Sequence, residues 1–338
     1  MSTAFLITGA TGLIGFRILL TTLAAGHKVR YTARSEDKAR IISSNPAVRK
    51  LAPGDRLSSV VIPDFAAEGA FDSALEGITH VIHVGAPVPM PHYDPVAQVF
   101  EPTVKISAGL LASALKTPSV QRIVITSSIV SNVGLTPPPT AVFASTRVPL
   151  PPVPSTFDNV FEAYVMAKMV EVHNSDEFVR TQNPSFTVSH VVPGYTIGRN
   201  ELVHDAAMMQ TQNSSNNFMM VGMLGGELPM AIHGCFAHID DVAETHLRVA
   251  LLDPKAEGPT DFGIATEVDY ATIFDHVEEA FPKAVAAGVF KRGKVPTLPT
   301  KYDSSDAKRL LGGKLKSFKE AVVDVAGQYL EQLGIEKE

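Results

Sequence analysis

A single cysteine, Cys235, among 338 residues leaves no intrachain disulfide framework and no cysteine-built zinc site, and it fits a reducing compartment. Charge is also sparse: 19% charged residues against 45% hydrophobic is a balance that buries a large core and excludes a disordered chain. There is no basic excess. Twenty-nine Lys plus Arg face 35 Asp plus Glu, a net charge of −6, so no overall positive field recruits nucleic acid or an anionic membrane. Any phosphate must be held locally. Every apolar run is broken by Gly, Pro, Thr or a charge before it reaches the roughly 18–20 residues that a membrane helix needs. The N-terminal stretch 1–7 is apolar but has no basic region before it and runs straight into glycines, unlike a signal peptide. The expectation is a soluble, cytoplasmic protein of one large domain or two fused ones.

What is present is a rhythm. Short β-branched runs at 4–8, 28–32, 59–62, 80–84, 122–127 and 187–192 alternate with helical patterns at 15–25, 37–44, 71–75, 96–115 and 160–181, the last closed by Asn183-Pro184. Six strands spaced by helices predict an α/β fold, a Rossmann-type doubly wound parallel sheet. Seven of the 24 prolines fall within 137–154, which therefore cannot pair as a central strand and reads as an extended surface loop. Beyond Gly194 the rhythm weakens, and 200–234 holds six of the ten methionines. The expected organisation is a dinucleotide-binding domain over 1–193, to which 236–265 returns, and a smaller C-terminal substrate-binding region over 194–338. Near the end, Ser317-Phe318-Lys319-Glu320 reads as a capping box opening a helix that Gly334 stops.

Gly9-Ala10-Thr11-Gly12-Leu13-Ile14-Gly15 follows the first strand and opens the first helix. The first glycine permits a tight turn, the second lets the backbone approach a pyrophosphate, and the third lets helix and strand pack closely. Unpaired N–H groups at the helix start, around Leu13 and Ile14, then face the anion. At the end of the second strand an acid would bind the ribose hydroxyl of NAD, whereas an arginine accommodates the 2′-phosphate of NADP. Here Arg34 takes that place, with Ser35, Lys38 and Arg30 adding to a locally positive field. Glu36, about 20 residues past the glycines, is placed in the loop beyond the strand.

Tyr164-Val165-Met166-Ala167-Lys168 puts a phenol and an ammonium one helical turn apart on the same face. An ordinary tyrosine, titrating near 10, is too weak an acid to donate a proton easily at neutral pH. A positive charge about 4 Å away at an effective dielectric near 20 favours the phenolate by up to roughly 4 kcal/mol. Such a tyrosine can protonate an alkoxide forming at a carbonyl carbon. The fifth strand ends in Thr126-Ser127-Ser128, where a hydroxyl could hold the carbonyl oxygen.

Together the glycine loop, the strand-end serine and Tyr164-x-x-x-Lys168 resemble the extended short-chain dehydrogenase/reductase family. The chain is most similar to its NADPH-dependent branch of dihydroflavonol reductases, cinnamoyl-CoA reductases and fungal aldehyde or ketone reductases. Supporting segments include Asp64-Phe65, His83-Val84-Gly85-Ala86-Pro87, Val192-Pro193-Gly194 and Phe236-Ala237-His238-Ile239-Asp240-Asp241. The resemblance implies Ser128, Tyr164 and Lys168 as the catalytic set, Ser128 rather than Ser127 matching the family's position. It implies NADPH held by Gly9, Thr11, Gly12, Leu13, Ile14, Arg34 and Lys38. Asp64 would meet the adenine, Gly85 and Ala86 would line the cleft, Lys168 would also hold the nicotinamide ribose, and Pro193 would sit by the nicotinamide.

An adaptable apolar pocket for the carbonyl compound is expected from Val88, Pro89 and Met90 after the fourth strand, from Tyr195, and from Met219 and Met223. Core filling is the competing role for the methionines. His233, His238, Asp240 and His246 lack metal-ligand spacing and read as the start of a helix capped by Asp240 or Asp241, so no metal is expected. No G-x-S-x-G elbow supports a hydrolase. The remaining alternatives are a nucleotide-sugar epimerase or dehydratase with tightly held nicotinamide, and a non-catalytic dinucleotide sensor. Monomer and homodimer stay open.

Overall fold

The computed structural model describes residues 3–253 and 258–336, so Met1 and Ser2 of the N-terminal stretch lie outside the described residues. From the N-terminus, β1 (Ala4–Thr8), α1 (Leu13–Ala24), β2 (Lys28–Ala33), α2 (Glu36–Ser44), α3 (Pro46–Lys50), β3 (Leu57–Val61) and β4 (His80–His83) follow in turn. A π-helical turn, Pro95–Phe100, runs into α4 (Glu101–Leu115), then β5 (Arg122–Thr126), α5 (Val130–Val133), α6 (Val160–Gln182) and β6 (Thr187–Pro193). The C-terminal part holds β7 (Tyr195–Ile197), α7 (Ala206–Thr211), α8 (Asn216–Met223), β8 (Ile232–His233), β9 (Cys235–His238), α9 (Ile239–Ala250), β10 (Asp261–Ile264) and β11 (Thr266–Glu267). It ends with α10 (Ile273–Ala280), α11 (Pro282–Ala286), β12 (Thr297–Leu298), α12 (Ser305–Leu310) and α13 (Phe318–Leu333).

The main sheet has seven parallel strands in the order β10-β6-β5-β4-β1-β2-β3. Its order reverses between β1 and β4, and that is where a crevice opens at the carboxyl ends of an open α/β sheet. Side chains alternate across it with the period of two that a strand imposes. Phe5, Ile7, Ile82, Val124 and Val191 join the core under α1 and α9, whereas Leu6, Val81, Ile123 and Ile125 join the opposite core with Ile106, Leu110 and Leu111 of α4. Both faces are therefore apolar, as parallel sheets require.

Six of the seven strands were expected. The seventh, β10, comes from the C-terminal half and pairs with β6 from Asp261↔His190 to Ile264↔Pro193. Its neighbour β9 instead belongs to a small sheet ordered β11-β9-β7. Of the predicted helix at 71–75 only a 3-10 turn, Ser73–Leu75, forms. The proline-rich 137–154 stays out of the sheets apart from one bridge, Val142↔Tyr302. The capping box Ser317/Glu320 is present, and Gly334 caps α13 in the left-handed conformation. α9 is capped otherwise than expected: the Asp240 N–H donates to His238 Nδ1 at 3.1 Å, and both aspartates sit in the first turn, where the helix dipole favours them. No helix among the described residues is long and apolar enough to cross a membrane.

A separate core lies in the C-terminal part, where Met219, Met220 and Met223 of α8 meet Phe236, Tyr270, Ile273, Phe274 and Val325. Met219 and Met223 are 0% exposed. The expectation that they line a pocket is thus corrected to the competing core role: α8 packs that face among α10, α13, α7 and β7, where the methionines are shielded from solvent. Met219→Ala should lower the unfolding free energy by about 2–5 kcal/mol, read from urea denaturation. A second stability prediction concerns His83 and His246, fully enclosed and held neutral. Burial, helped by the nearby Lys168 charge, lowers His83 to about 3, and burial lowers His246 to about 4. The unfolded chain takes up these protons near 6.5 while the folded chain refuses them. Stability is therefore complete above 6.5 and is lost as pH falls toward 4. Between pH 7.5 and 5.5 the unfolding free energy should drop by about 2–3 kcal/mol from these two rings; an unchanged value would contradict their neutral burial.

Candidate active site

The glycine loop and the end of β4 form one wall of the crevice. Gly9 has φ +72°, and a Cβ there would stand 2.9 Å from the Gly85 nitrogen. A Cβ on Gly15 would stand 2.2 Å from the Gly9 carbonyl oxygen, so α1 can begin this close to β1 only with glycine. Gly12 is the N-cap of α1, with no side-chain cap and no acid in the first turn. The early N–H groups of that helix, Leu13 and Ile14 among them, have no carbonyl one turn back, and the Gly12 N–H is taken by Gly9 O at 3.0 Å. Thr11 and Gly12 are exposed beside them. A bare helix start flanked by glycine, with no acid in its first turn, fits a pyrophosphate.

Thr8 ties the two strand ends together. Its hydroxyl accepts from the Val84 and Gly85 N–H groups, each at 3.1 Å, and lies 2.8 Å from His83 Nδ1. Since the hydroxyl proton goes to Nδ1, the ring carries its own proton on Nε2, which is buried and without a partner among the described residues. Gly85 and Ala86 are half-buried in the cleft wall.

At the tip of β2, Arg34 is exposed and makes no ion pair among the described residues. Ser35 N-caps α2 by accepting from the Lys38 backbone N–H at 3.3 Å, and the exposed Lys38 ammonium has no ion-pair partner among the described residues. Glu36 opens α2, where a carboxylate suits the helix start. Arg30 does not join this group. Its guanidinium donates to the Ala74 and Glu76 carbonyls at 2.8 Å each, a brace within the fold. Asp64 is exposed, one oxygen accepting from the Ala66 N–H at 2.8 Å.

The other wall is β5 with α6. Lys168 is 3% exposed, and its ammonium donates to the Thr126 carbonyl at 3.0 Å and to Glu171 Oε2 at 2.7 Å. Tyr164, one turn earlier, is half-buried against Ile129, Val130 and Cys235. The two serines part company. Ser127 is buried and donates to Ser131 at 3.0 Å, whereas Ser128 is half-buried and only accepts, from the Val130 N–H at 3.4 Å. Its hydroxyl proton has no partner among the described residues, so Ser128 has the hydroxyl available to an incoming oxygen. The adjoining Ile129 N–H donates to the buried Pro193 carbonyl at 3.1 Å, drawing the end of β6 to the same place.

Tyr195 is a neighbour of Tyr164. Burial first, then the neighbouring Tyr164 and Cys235, push its phenol well above the ordinary tyrosine range, so it stays protonated. Its ring meets Phe218 edge-on at 5.3 Å. Val88 is 46% exposed, and Met90 is half-buried in the segment after β4. Motif spacing did not reveal Thr8, His83, Phe218 or Glu171. His83 stood within a segment of the family resemblance without a role of its own, and Glu171 left a trace as a carboxylate inside the apolar run Met169-Val170-Glu171-Val172.

Comparison with known proteins bears on the family and the fold. Residues 5–187 match the family described as NAD dependent epimerase/dehydratase. The ketoreductase CTB6 of Cercospora nicotianae is 33% identical, with 96% of this chain and 94% of that protein covered. The NAD-dependent epimerase/dehydratase ALT6 of Alternaria alternata is 34% identical over 94% of this chain and 95% of its own. Yeast methylglyoxal/isovaleraldehyde reductase Gre2, solved with NADPH, shares the fold at a TM-score of 0.81 and 23% identity, covering 98% of this chain and 99% of that one. On the family match, the relatives and the seven-stranded sheet, the chain belongs to the NAD-dependent epimerase/dehydratase family, the extended short-chain dehydrogenases/reductases.

Proposed function

We propose that this chain is an NADPH-dependent reductase that converts an aldehyde or ketone to the alcohol, with Tyr164 as proton donor. One observation carries the reading. The Lys168 side chain bonds the Thr126 carbonyl, so a single ammonium joins the strand end bearing Ser128 to the helix turn bearing Tyr164. The ketoreductase names of relatives such as CTB6 and azaE of Aspergillus niger support a carbonyl substrate.

NADPH supplies the hydride when bound. Gly9, Gly12 and the start of α1 would hold its pyrophosphate, Arg34 and Lys38 its 2′-phosphate, and Asp64 its adenine, while Gly85 and Ala86 would line the cleft and Pro193 would sit by the nicotinamide. Lys168 has one N–H left with which it would hold the ribose. Ser128 donates to the carbonyl oxygen and fixes the face presented to the cofactor; a donor aimed at developing negative charge is worth about 3–4 kcal/mol. Tyr164 passes its phenolic proton to that oxygen as the alkoxide forms. Tyr195 and Phe218 cover the site with aromatic surface, which excludes water and suits an apolar or aromatic carbonyl compound.

Two measurements test this reading. Tyr164→Phe removes one oxygen from a half-buried ring, so the protein should fold while kcat for carbonyl reduction falls by roughly 10²–10⁴; near-normal turnover would refute the mechanism. Arg34→Ala should raise KM for NADPH at least tenfold, roughly the worth of one charge-assisted contact, and leave KM for NADH within twofold. Equal losses for the two cofactors would remove Arg34 from the phosphate site.

A further inference from the structure

The reductase reading needs a cation beside Tyr164, and the fold puts that cation where a lone ammonium is not stable. The Lys168 side chain is 4% exposed and that of Glu171 is 1% exposed. A buried ammonium without a counterion sheds its proton as much as 3–5 pH units below a free lysine, about as far as it takes to lose the charge near neutrality. Tyr164, Lys168 and Glu171 stand at i, i+4 and i+7 of α6, on one face of the helix.

Among the described residues, the elements packed around Lys168 supply no other compensating charge within hydrogen-bond reach. From β4, His83 is held neutral, lowered to about 3 by burial and by Lys168 itself. From α9, His246 is held neutral by burial and meets the Thr126 hydroxyl at 2.8 Å. From β7 and β9, burial keeps the Tyr195 phenol and the Cys235 thiol protonated, the thiol pushed up to about 12. The α4 residues that wall the 130 Å³ cavity beside Glu171, among them Val104, Ser107 and Leu111, bear no charge. One turn along α6, Ser175 contacts His190, whose partner Asp261 is engaged by Arg147. Lys168 thus has a single anionic neighbour within hydrogen-bond reach among the described residues.

We propose that Glu171 is the counterion that keeps Lys168 protonated inside the fold, and so acts through Lys168 as a positioning residue for proton delivery by Tyr164. The catalytic half of this statement rests on the reductase reading; the ionic half stands without it.

The ionic half is tested on the ligand-free protein. Glu171→Gln keeps the side-chain shape and an acceptor oxygen and removes only the charge. Its folded form then releases a proton at lower pH than its unfolded form, which gives it up near 10.4, so stability relative to wild type rises with pH. The Tm gap between wild type and Glu171→Gln should narrow steadily from pH 6 to 9.5. A constant or widening gap means that only a hydrogen bond was lost, and overturns the proposal. Should Glu171→Gln fail to fold, the double variant Lys168→Met/Glu171→Gln is compared with Lys168→Met, which strands the carboxylate. The double variant should melt at the same or higher temperature, and a lower Tm overturns the proposal.

For the catalytic half, the alkaline limb of kcat/KM for carbonyl reduction should move down by about one to three pH units in Glu171→Gln, with activity near pH 6 within a few-fold of wild type. An unmoved limb overturns the positioning role. Near-normal turnover by Tyr164→Phe would instead overturn the reductase reading and leave the Tm result standing.

Discussion

At the carboxyl ends of β1 and β4 three backbone segments come within a distance that leaves no room for a Cβ. Gly15 stands over the Gly9 carbonyl, and Gly9 stands against the Gly85 amide. That contact sets the start of α1, the width of the crevice and the orientation of the unpaired N–H groups at the helix N-terminus. It also fixes the separation of β1 and β4 so that one hydroxyl, Thr8, can accept two amides and still reach His83. Everything proposed about an anionic cofactor depends on this close approach, because a wider gap would let a side chain or water occupy the helix start.

Below the crevice the polar groups are buried in pairs that each join a strand end to a helix. Thr126 meets His246 of α9, Lys168 of α6 meets the Thr126 carbonyl and Glu171, and Ser127 meets Ser131 of α5. An unpaired buried donor or acceptor costs about 1–3 kcal/mol, so these pairs favour one arrangement of the strand end and its helices over neighbouring ones. Among the described residues the Ser128 proton, Arg34, Lys38 and the second Asp64 oxygen have no partner, and these are among the groups proposed to meet ligands. Rigid support and available donors are thereby divided between adjacent residues, as Ser127 and Ser128 illustrate.

The C-terminal part is locked to this frame by charge and by close packing. Arg17 of α1 pairs with Glu201 at 2.6 Å and with Asp240, which also binds Lys316. A Cβ on Gly194 would lie 2.6 Å from the Cys235 carbonyl, and Tyr270 donates to that same carbonyl at 3.1 Å. Tyr195 follows this close contact and is carried on β7, which pairs with β9 from Tyr195↔Phe236 to Ile197↔His238.

The alternation of apolar strands and helices, the glycine spacing, the Tyr164/Lys168 pair, the Ser317/Glu320 box and the exclusion of proline-rich 137–154 from the sheet were legible in the sequence, because each depends on residues within a turn or two of one another. Tertiary structure decided what depends on distant neighbours. The return of 236–265 to the first domain was expected, but that β10 within it pairs beside β6, across some 70 residues of sequence, is a register only the folded chain shows. Arg30 and Arg34 lie four residues apart in one positive stretch, yet two carbonyls from 74–76 claim Arg30 and leave Arg34 exposed. The methionines of α8 could serve a pocket or a core by composition, and only the apposition of α10 and α13 makes them core. Which of Ser127 and Ser128 keeps its hydroxyl proton free among the described residues turns on Ser131, which Ser127 engages, and Lys168 meets Glu171 only because the helix turns both inward, since burial decides the energy of a charge and only the folded chain decides burial.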